Sequence, residues 1–173
     1  MKNFVQALDM SINTQNWYSV LFISLTLPDI CGKIDEPDKG SKERTINWYN
    51  KYIKQAYTHR FEQDGSVHVF LGGSDFYALR CAYLHEGSDD IKTQRAQDIL
   101  DKFRFVQPMS DKSFFHCNQN NFTLQIQVSQ FGKDVMDAVN SWLKDVEEDA
   151  DKCRKINNFL EIEMIREGQM FSV

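Results

Sequence analysis

The sequence of 173 residues lacks the closely spaced cysteines and histidines that build metal centres and redox sites. Its four cysteines, Cys31, Cys81, Cys117 and Cys153, lie at least 36 positions apart. Zinc knuckles and dithiol redox sites need cysteines only a few positions apart. The four histidines are also scattered, and no H-E-x-x-H pattern occurs. We therefore expect reduced, mostly buried thiols, no metal site and no cofactor.

The sequence also lacks an excess of positive charge and a long apolar run. It has 20 Lys and Arg against 25 Asp and Glu, a net charge of −5. Proteins that wrap nucleic acid carry a basic excess, so any contact with a polyanion must be local. The one candidate export or membrane segment, residues 17–27, is too short to span a bilayer and precedes no small-residue cleavage site. We interpret it as a buried helix, and expect a soluble, cytoplasmic protein without a membrane partner.

What the chain does contain is enough apolar surface for one sizeable core. Hydrophobic residues make up 42% of it and aromatic residues 13%, which favours a single domain over residues 1–173. The expected fold is mainly α within the α+β class. Its helical core would comprise residues of about 2–102 and 130–155, and its β segments would lie at about 103–128 and 158–165.

Apolar residues at helical spacing predict three helices in the first third of the chain. They cover residues near 4–12, about 15–31 and about 42–57. Pro28 should bend or end the second of these helices. A turn with an irregular strand is then expected over 61–71.

Two further helices are predicted before the β segments. The fourth should run from Ser74, as its N-cap, to about Glu86, with Asp75 complementing the helix dipole and Gly87 as the left-handed C-terminal residue. A fifth, capped by Ser88, should reach about residue 102.

Beyond residue 102 the apolar period changes from helical to alternating. Residues 103–107 and 121–129 alternate, and the simplest interpretation is a small antiparallel sheet or hairpin. Ser129 should then cap a long helix with a buried stripe formed by Val135, Val139, Trp142 and Val146. The residues over 159–165 alternate again and predict a last strand.

The fourth helix carries the pair of residues with the most chemical potential. Arg80 and His85 lie five positions apart near its end. A guanidinium is a permanent cation that fits phosphate oxygens in a bidentate way, and an imidazole can transfer a proton near neutral pH. Together they can cleave RNA without a metal: arginine holds the scissile phosphate, while histidine moves a proton between the 2′-hydroxyl and the leaving 5′-oxygen.

The spacing of this pair raises a geometric problem. Residues five positions apart on an ideal helix differ by about 140° in direction. Arg80 and His85 could still converge if His85 sits in a frayed last turn. Alternatively, two copies of the helix could cross at the seam of a symmetric dimer, which needs less distortion. We therefore expect a homodimer.

The segment from Arg80 to His85 resembles the R-x4-6-H motif of the HEPN superfamily. Members are compact helical bundles, commonly dimers, and many are metal-independent ribonucleases in toxin–antitoxin, phage-defence and RNA-processing systems. The resemblance implies that Arg80 and His85 are the catalytic pair. Tyr77, Cys81 and Glu86 are the expected supporting residues of the site. RNA is then a possible partner, as is a partner protein or antitoxin.

Two functional hypotheses follow from this resemblance. In the first, the protein is a HEPN-like endoribonuclease that acts as a dimer, which the Arg80–His85 pair favours. In the second, it is a non-catalytic interaction or regulatory module in which the same residues hold the dimer or bind a nucleotide-like ligand. The negative net charge favours the second. So does Cys81, because active members usually carry a polar residue directly after the arginine.

Overall fold

The computed structural model describes residues 1–108 and 114–162. In these residues helices dominate, with 56% helix against 13% strand, which confirms the mainly helical α+β prediction. The elements in chain order are α1 (Lys2–Asn13), α2 (Trp17–Asp35), α3 (Ser41–Tyr52), a 3₁₀ helix (Lys54–Tyr57), β1 (Thr58–Arg60), β2 (Val67–Val69), α4 (Gly73–Glu86), β3 (Lys102–Val106), β4 (Asn118–Asn120), β5 (Thr123–Gln127), α5 (Val128–Val146) and α6 (Ala150–Asn157).

Helix α2 lies at the centre of the helical layer, where it packs against α1, α3 and α5. Of the two effects predicted for Pro28, ending the helix does not occur, because α2 continues to Asp35. A proline inside a helix removes one backbone hydrogen bond, but Pro28 is buried and its neighbours Leu25, Leu27 and Cys31 are in the core. Burial on several sides therefore maintains the helix as far as Asp35.

Helix α5 covers α2 with the apolar stripe that its sequence predicts. Val135, Val139, Trp142 and Val146 are all buried. The helix begins at Val128, one residue before the predicted cap. Ser129 is thus inside the helix, and its hydroxyl accepts a hydrogen bond from Gln127 Nε2 at 3.0 Å.

The predicted fifth helix is absent, and residues 88–101 form a series of turns. Asp75 explains much of this difference. Its carboxylate is buried and accepts hydrogen bonds from the backbone N–H groups of Asp98, Ile99 and Leu100, at 2.7 to 3.3 Å. Asp75 lies in the first turn of α4 as expected, but the N-cap is Gly72, not Ser74.

The second sheet also differs from the prediction. Its order is β3-β5-β4, and β3 pairs with β5 in parallel, not antiparallel, with Phe103 opposite Leu124. Only the short β4 runs antiparallel to β5. Alternation identifies a strand and its buried face but not its direction. Strands β1 and β2 form a separate antiparallel hairpin.

The structure describes only part of the strand that the sequence predicts over residues 159–165. Residues 159–162 form no strand, and the rest of the predicted segment, 163–165, lies outside the described residues.

Of the helices within 1–108 and 114–162, none combines the length and apolar character needed to cross a bilayer.

Candidate functional site

Arg80 is held by a carboxylate from a neighbouring helix. Its Nη2 lies 3.0 Å from Asp29 Oδ2, and only 15% of its side chain is exposed. Its Nε is buried and has no hydrogen-bond partner among the residues that the structure describes. The guanidinium carbon is 5.9 Å from the centre of the Tyr77 ring, on the same helix. The guanidinium that the sequence assigned to a phosphate is therefore already paired with a carboxylate of the same chain.

Asp29 binds a second arginine in addition to Arg80. Its Oδ1 accepts from Arg44 Nε at 2.7 Å. The hydroxyls of Ser41 and Thr45 donate to the same oxygen, at 3.0 and 3.1 Å. This cluster joins α2, α3 and α4, and no single stretch of sequence reveals it. Two guanidiniums around one carboxylate leave a local charge of about +1, because both arginines stay protonated.

His85 is exposed in the last turn of α4. That turn is not frayed, since Gly87 adopts the left-handed conformation and its N–H donates to Tyr83 O at 3.0 Å. Among the described residues, no hydrogen bond or ion pair involves the His85 side chain. The structure therefore brings Arg80 together with Arg44 and Asp29 but does not bring it together with His85 within one chain.

The three predicted supporting residues do lie together. Tyr77, Cys81 and Glu86 line a recess of about 370 Å³, which we call the α4 recess. Its other walls are Lys42 from α3 and the turn residues Thr93, Gln94, Arg95 and Ala96. Residues 77 and 81 share a face because they are four positions apart on α4.

The charges in the α4 recess are mostly positive. Lys42 and Arg95 are exposed, and neither forms an ion pair within the described part of the chain. Glu86 accepts a hydrogen bond from Gln94 Nε2 at 2.9 Å. Burial raises the pKa of Tyr77, and the nearby Cys81 thiol raises it further, so its hydroxyl stays protonated and able to donate. The recess thus offers cations and a hydroxyl donor to a bound anion.

A second polar cluster, which the sequence did not predict, surrounds Asp134 on α5. Tyr57 Oη and Gln130 Nε2 donate to its carboxylate at 3.0 and 2.7 Å. His116 Nε2 lies 3.4 Å from Asp134 Oδ2, and the histidine side chain is only 6% exposed. Burial, followed by the charge of Asp134, raises the pKa of Cys117 to about 12. This thiol is therefore protonated and unsuited to act as a nucleophile.

The described residues contain no group of three or more His, Cys, Asp or Glu side chains arranged to hold a metal ion. No family model, curated protein or solved structure matches the chain.

Proposed function

We propose that this protein is a non-catalytic binding module of HEPN-like architecture whose α4 recess takes a phosphate-bearing, nucleotide-like ligand. One observation carries the proposal. Arg80 is already paired with Asp29, whereas Lys42 and Arg95 beside it line the recess without carboxylate partners among the described residues. In this proposal Arg80 positions the helix that forms a wall of the recess, and Lys42 and Arg95 contact the ligand.

The chemistry of the recess suits a phosphate group. Arg95 can form a bidentate pair with phosphate oxygens, and Lys42 adds a point charge. The hydroxyls of Tyr77 and Thr93 supply neutral donors. Because both cations are exposed and the whole chain is negative, the attraction is local and salt should weaken it.

A binding assay tests this proposal directly. Nucleoside monophosphates, diphosphates and short RNA oligomers are titrated against wild type, Lys42→Ala and Arg95→Ala by calorimetry at low and moderate salt. Each substitution should weaken binding about 5- to 10-fold, as expected for the loss of one charge-assisted contact worth about 1 kcal/mol. Lys133→Ala, at an exposed position on α5, is the matched control and should leave binding unchanged. No binding to wild type, or equal loss in all three variants, contradicts the proposal.

A second candidate is metal-independent RNA cleavage in a cleft shared by two copies of the chain. The exposure of His85 favours it, because the imidazole is open to a substrate. Labelled RNA is incubated with wild type and His85→Ala in the presence of a chelator, and the oligomeric state is measured in the same buffer. Cleavage that His85→Ala abolishes in a dimeric protein would establish the enzyme. A wild type that cleaves no RNA supports the binding module.

A further inference from the structure

A cavity on the other side of Glu86 has a different chemistry from the α4 recess. It has a volume of about 620 Å³, within the range of roughly 300–1,000 Å³ that ligand pockets occupy. Four of its lining residues are aromatic and two are acidic: Trp17, Tyr18, Tyr83, Phe105, Glu86 and Asp89. We call it the aromatic cavity.

Three elements build the aromatic walls. Trp17 and Tyr18 begin α2, Tyr83 lies near the end of α4, and Phe105 lies in β3. Tyr83 is held edge-on by Phe22, with ring centres 5.2 Å apart. Burial raises the pKa of Tyr83, and the nearby Tyr18 raises it further. The phenol therefore stays neutral and the walls are uncharged aromatic faces.

The charge around the cavity is negative. Glu86 and Asp89 contribute carboxylates, and the C-terminal end of α4 adds the negative end of the helix dipole. No lysine or arginine is among the lining residues that the structure describes. Lys102 approaches Asp89 to 3.4 Å, but both side chains are 47% exposed, so water weakens this pair. A cation is complementary to these walls, and an anion is not.

The aromatic faces select among cations. The face of an aromatic ring attracts a cation within about 6 Å, and methylated ammonium groups are the ligands that aromatic cages bind. A plain lysine ammonium is compact and strongly hydrated, so it gives up its water reluctantly. Methyl groups lower that cost and add apolar contact with the rings.

We propose that the aromatic cavity binds a methylated ammonium group, carried either by a free choline-type molecule or by a trimethylated lysine of a peptide. Glu86 and Asp89 complement the charge from the rim. The two ligands have opposite charges and the two linings share only Glu86, so either proposal can fail without the other.

Tryptophan fluorescence provides a local signal for the test. Trp48 and Trp142 are 3% and 0% exposed, whereas Trp17 is partly exposed and lines the cavity. Wild type is titrated with tetramethylammonium, choline, a trimethyllysine peptide, and 3,3-dimethylbutan-1-ol, the uncharged analogue of choline. We expect a saturable change with an ammonium ligand and at least 5-fold weaker binding of the alcohol. Binding of the peptide alone identifies a protein source, and binding of choline identifies a small molecule. Equal affinity for the alcohol, or no saturable change with any ammonium, overturns the proposal.

Substitutions inside and outside the aromatic cavity test whether the ammonium ligand binds in this cavity and not elsewhere on the surface. Tyr18 is 76% exposed, so Tyr18→Leu should preserve the fold and weaken ammonium binding by 5-fold or more. Phe61→Leu, at an exposed aromatic residue outside the cavity, is the matched control and should have no effect. Asp89→Asn should weaken ammonium binding without weakening phosphate binding in the α4 recess, because Asp89 lines the aromatic cavity and does not line that recess. Equal effects of Tyr18→Leu and Phe61→Leu would refute the assignment.

Discussion

A single carboxylate determines how the arginine of the motif behaves. Asp29 contacts both Arg44 and Arg80, and all three side chains are mostly buried. Burying charges is costly unless they are paired and hydrogen-bonded. The cluster is therefore a structural junction between three helices, and its cost of disruption can be measured.

Asp29→Asn removes the negative charge while keeping the shape of the side chain. Two guanidiniums would then face each other without a counter-charge, and we expect the free energy of unfolding to fall by about 2–4 kcal/mol. Urea denaturation measures this change. Asp145→Asn is the matched control, because its pair with Lys51 is more than half exposed and is screened by water and salt. A loss no larger than that of the control would contradict the junction role of Asp29.

Sequence reasoning could predict the chemistry of individual residues but not their partners. The type and spacing of Arg80 and His85 are local facts, and so is their placement on one helix. The partner of Arg80 lies 51 positions away, at Asp29, and comes close only when α2 and α4 pack. The same holds for His116 and Asp134, which α5 and the loop before β4 bring together.

At the scale of elements, Asp75 connects α4 to the turns of residues 88–101. Asp75→Ala would leave three backbone N–H groups, those of residues 98–100, without their acceptor. Each buried unpaired donor costs about 1–3 kcal/mol, and partial hydration reduces the total. We expect a loss of about 2–4 kcal/mol and faster amide hydrogen exchange at residues 98–100. The turns of residues 88–101 also carry Arg95. Loosening these turns should therefore weaken binding in the α4 recess, although no residue that contacts the ligand has been substituted.

The matched variant for this prediction is Asp75→Asn, which keeps one oxygen as an acceptor and should cause a smaller loss. Hydrogen exchange measured by mass spectrometry distinguishes the two variants. Unchanged exchange over residues 98–100 in Asp75→Ala would show that the segment does not depend on this carboxylate.

Element prediction succeeded where the pattern was local and strong. The stripe of α5 repeats over three turns, and the left-handed Gly87 ends α4 as its type indicates. It failed where distant contacts decide. The backbone N–H groups of residues 98–100 donate to Asp75, 23 to 25 positions away, where the sequence predicts a helix. Alternation cannot show that β3 and β5 run parallel.

At the scale of the whole molecule, buried weak acids link stability to alkaline pH. Burial raises the pKa values of Cys31, Tyr49 and Tyr57 well above normal, and that of Cys117 to about 12. Below about pH 8 these groups are neutral in both the folded and the unfolded chain, so they add no pH dependence. As the pH rises from about 8 towards 12, the unfolded chain loses these protons first, and the free energy of unfolding falls.

Urea midpoints measured at pH 8, 9, 10 and 11 test this expectation. The midpoint should begin to decline above about pH 8 and should fall more steeply above pH 9. Cys117→Ala removes the group whose pKa rises from 9.0 to about 12, so its decline should be shallower than that of wild type. Identical slopes for the two proteins would contradict the raised pKa of the Cys117 thiol in the folded state.

The pairing of α2 with α5 sets an order of events during biosynthesis. Trp142 of α5 donates to Asp35 of α2 at 2.9 Å, across 107 positions of chain. At about 5–20 residues per second, a ribosome that has completed α2 needs roughly ten more seconds to complete α5. During that interval α1 and α3 can already pack against α2, but the side of α2 that α5 covers stays exposed until the last third of the sequence has been made.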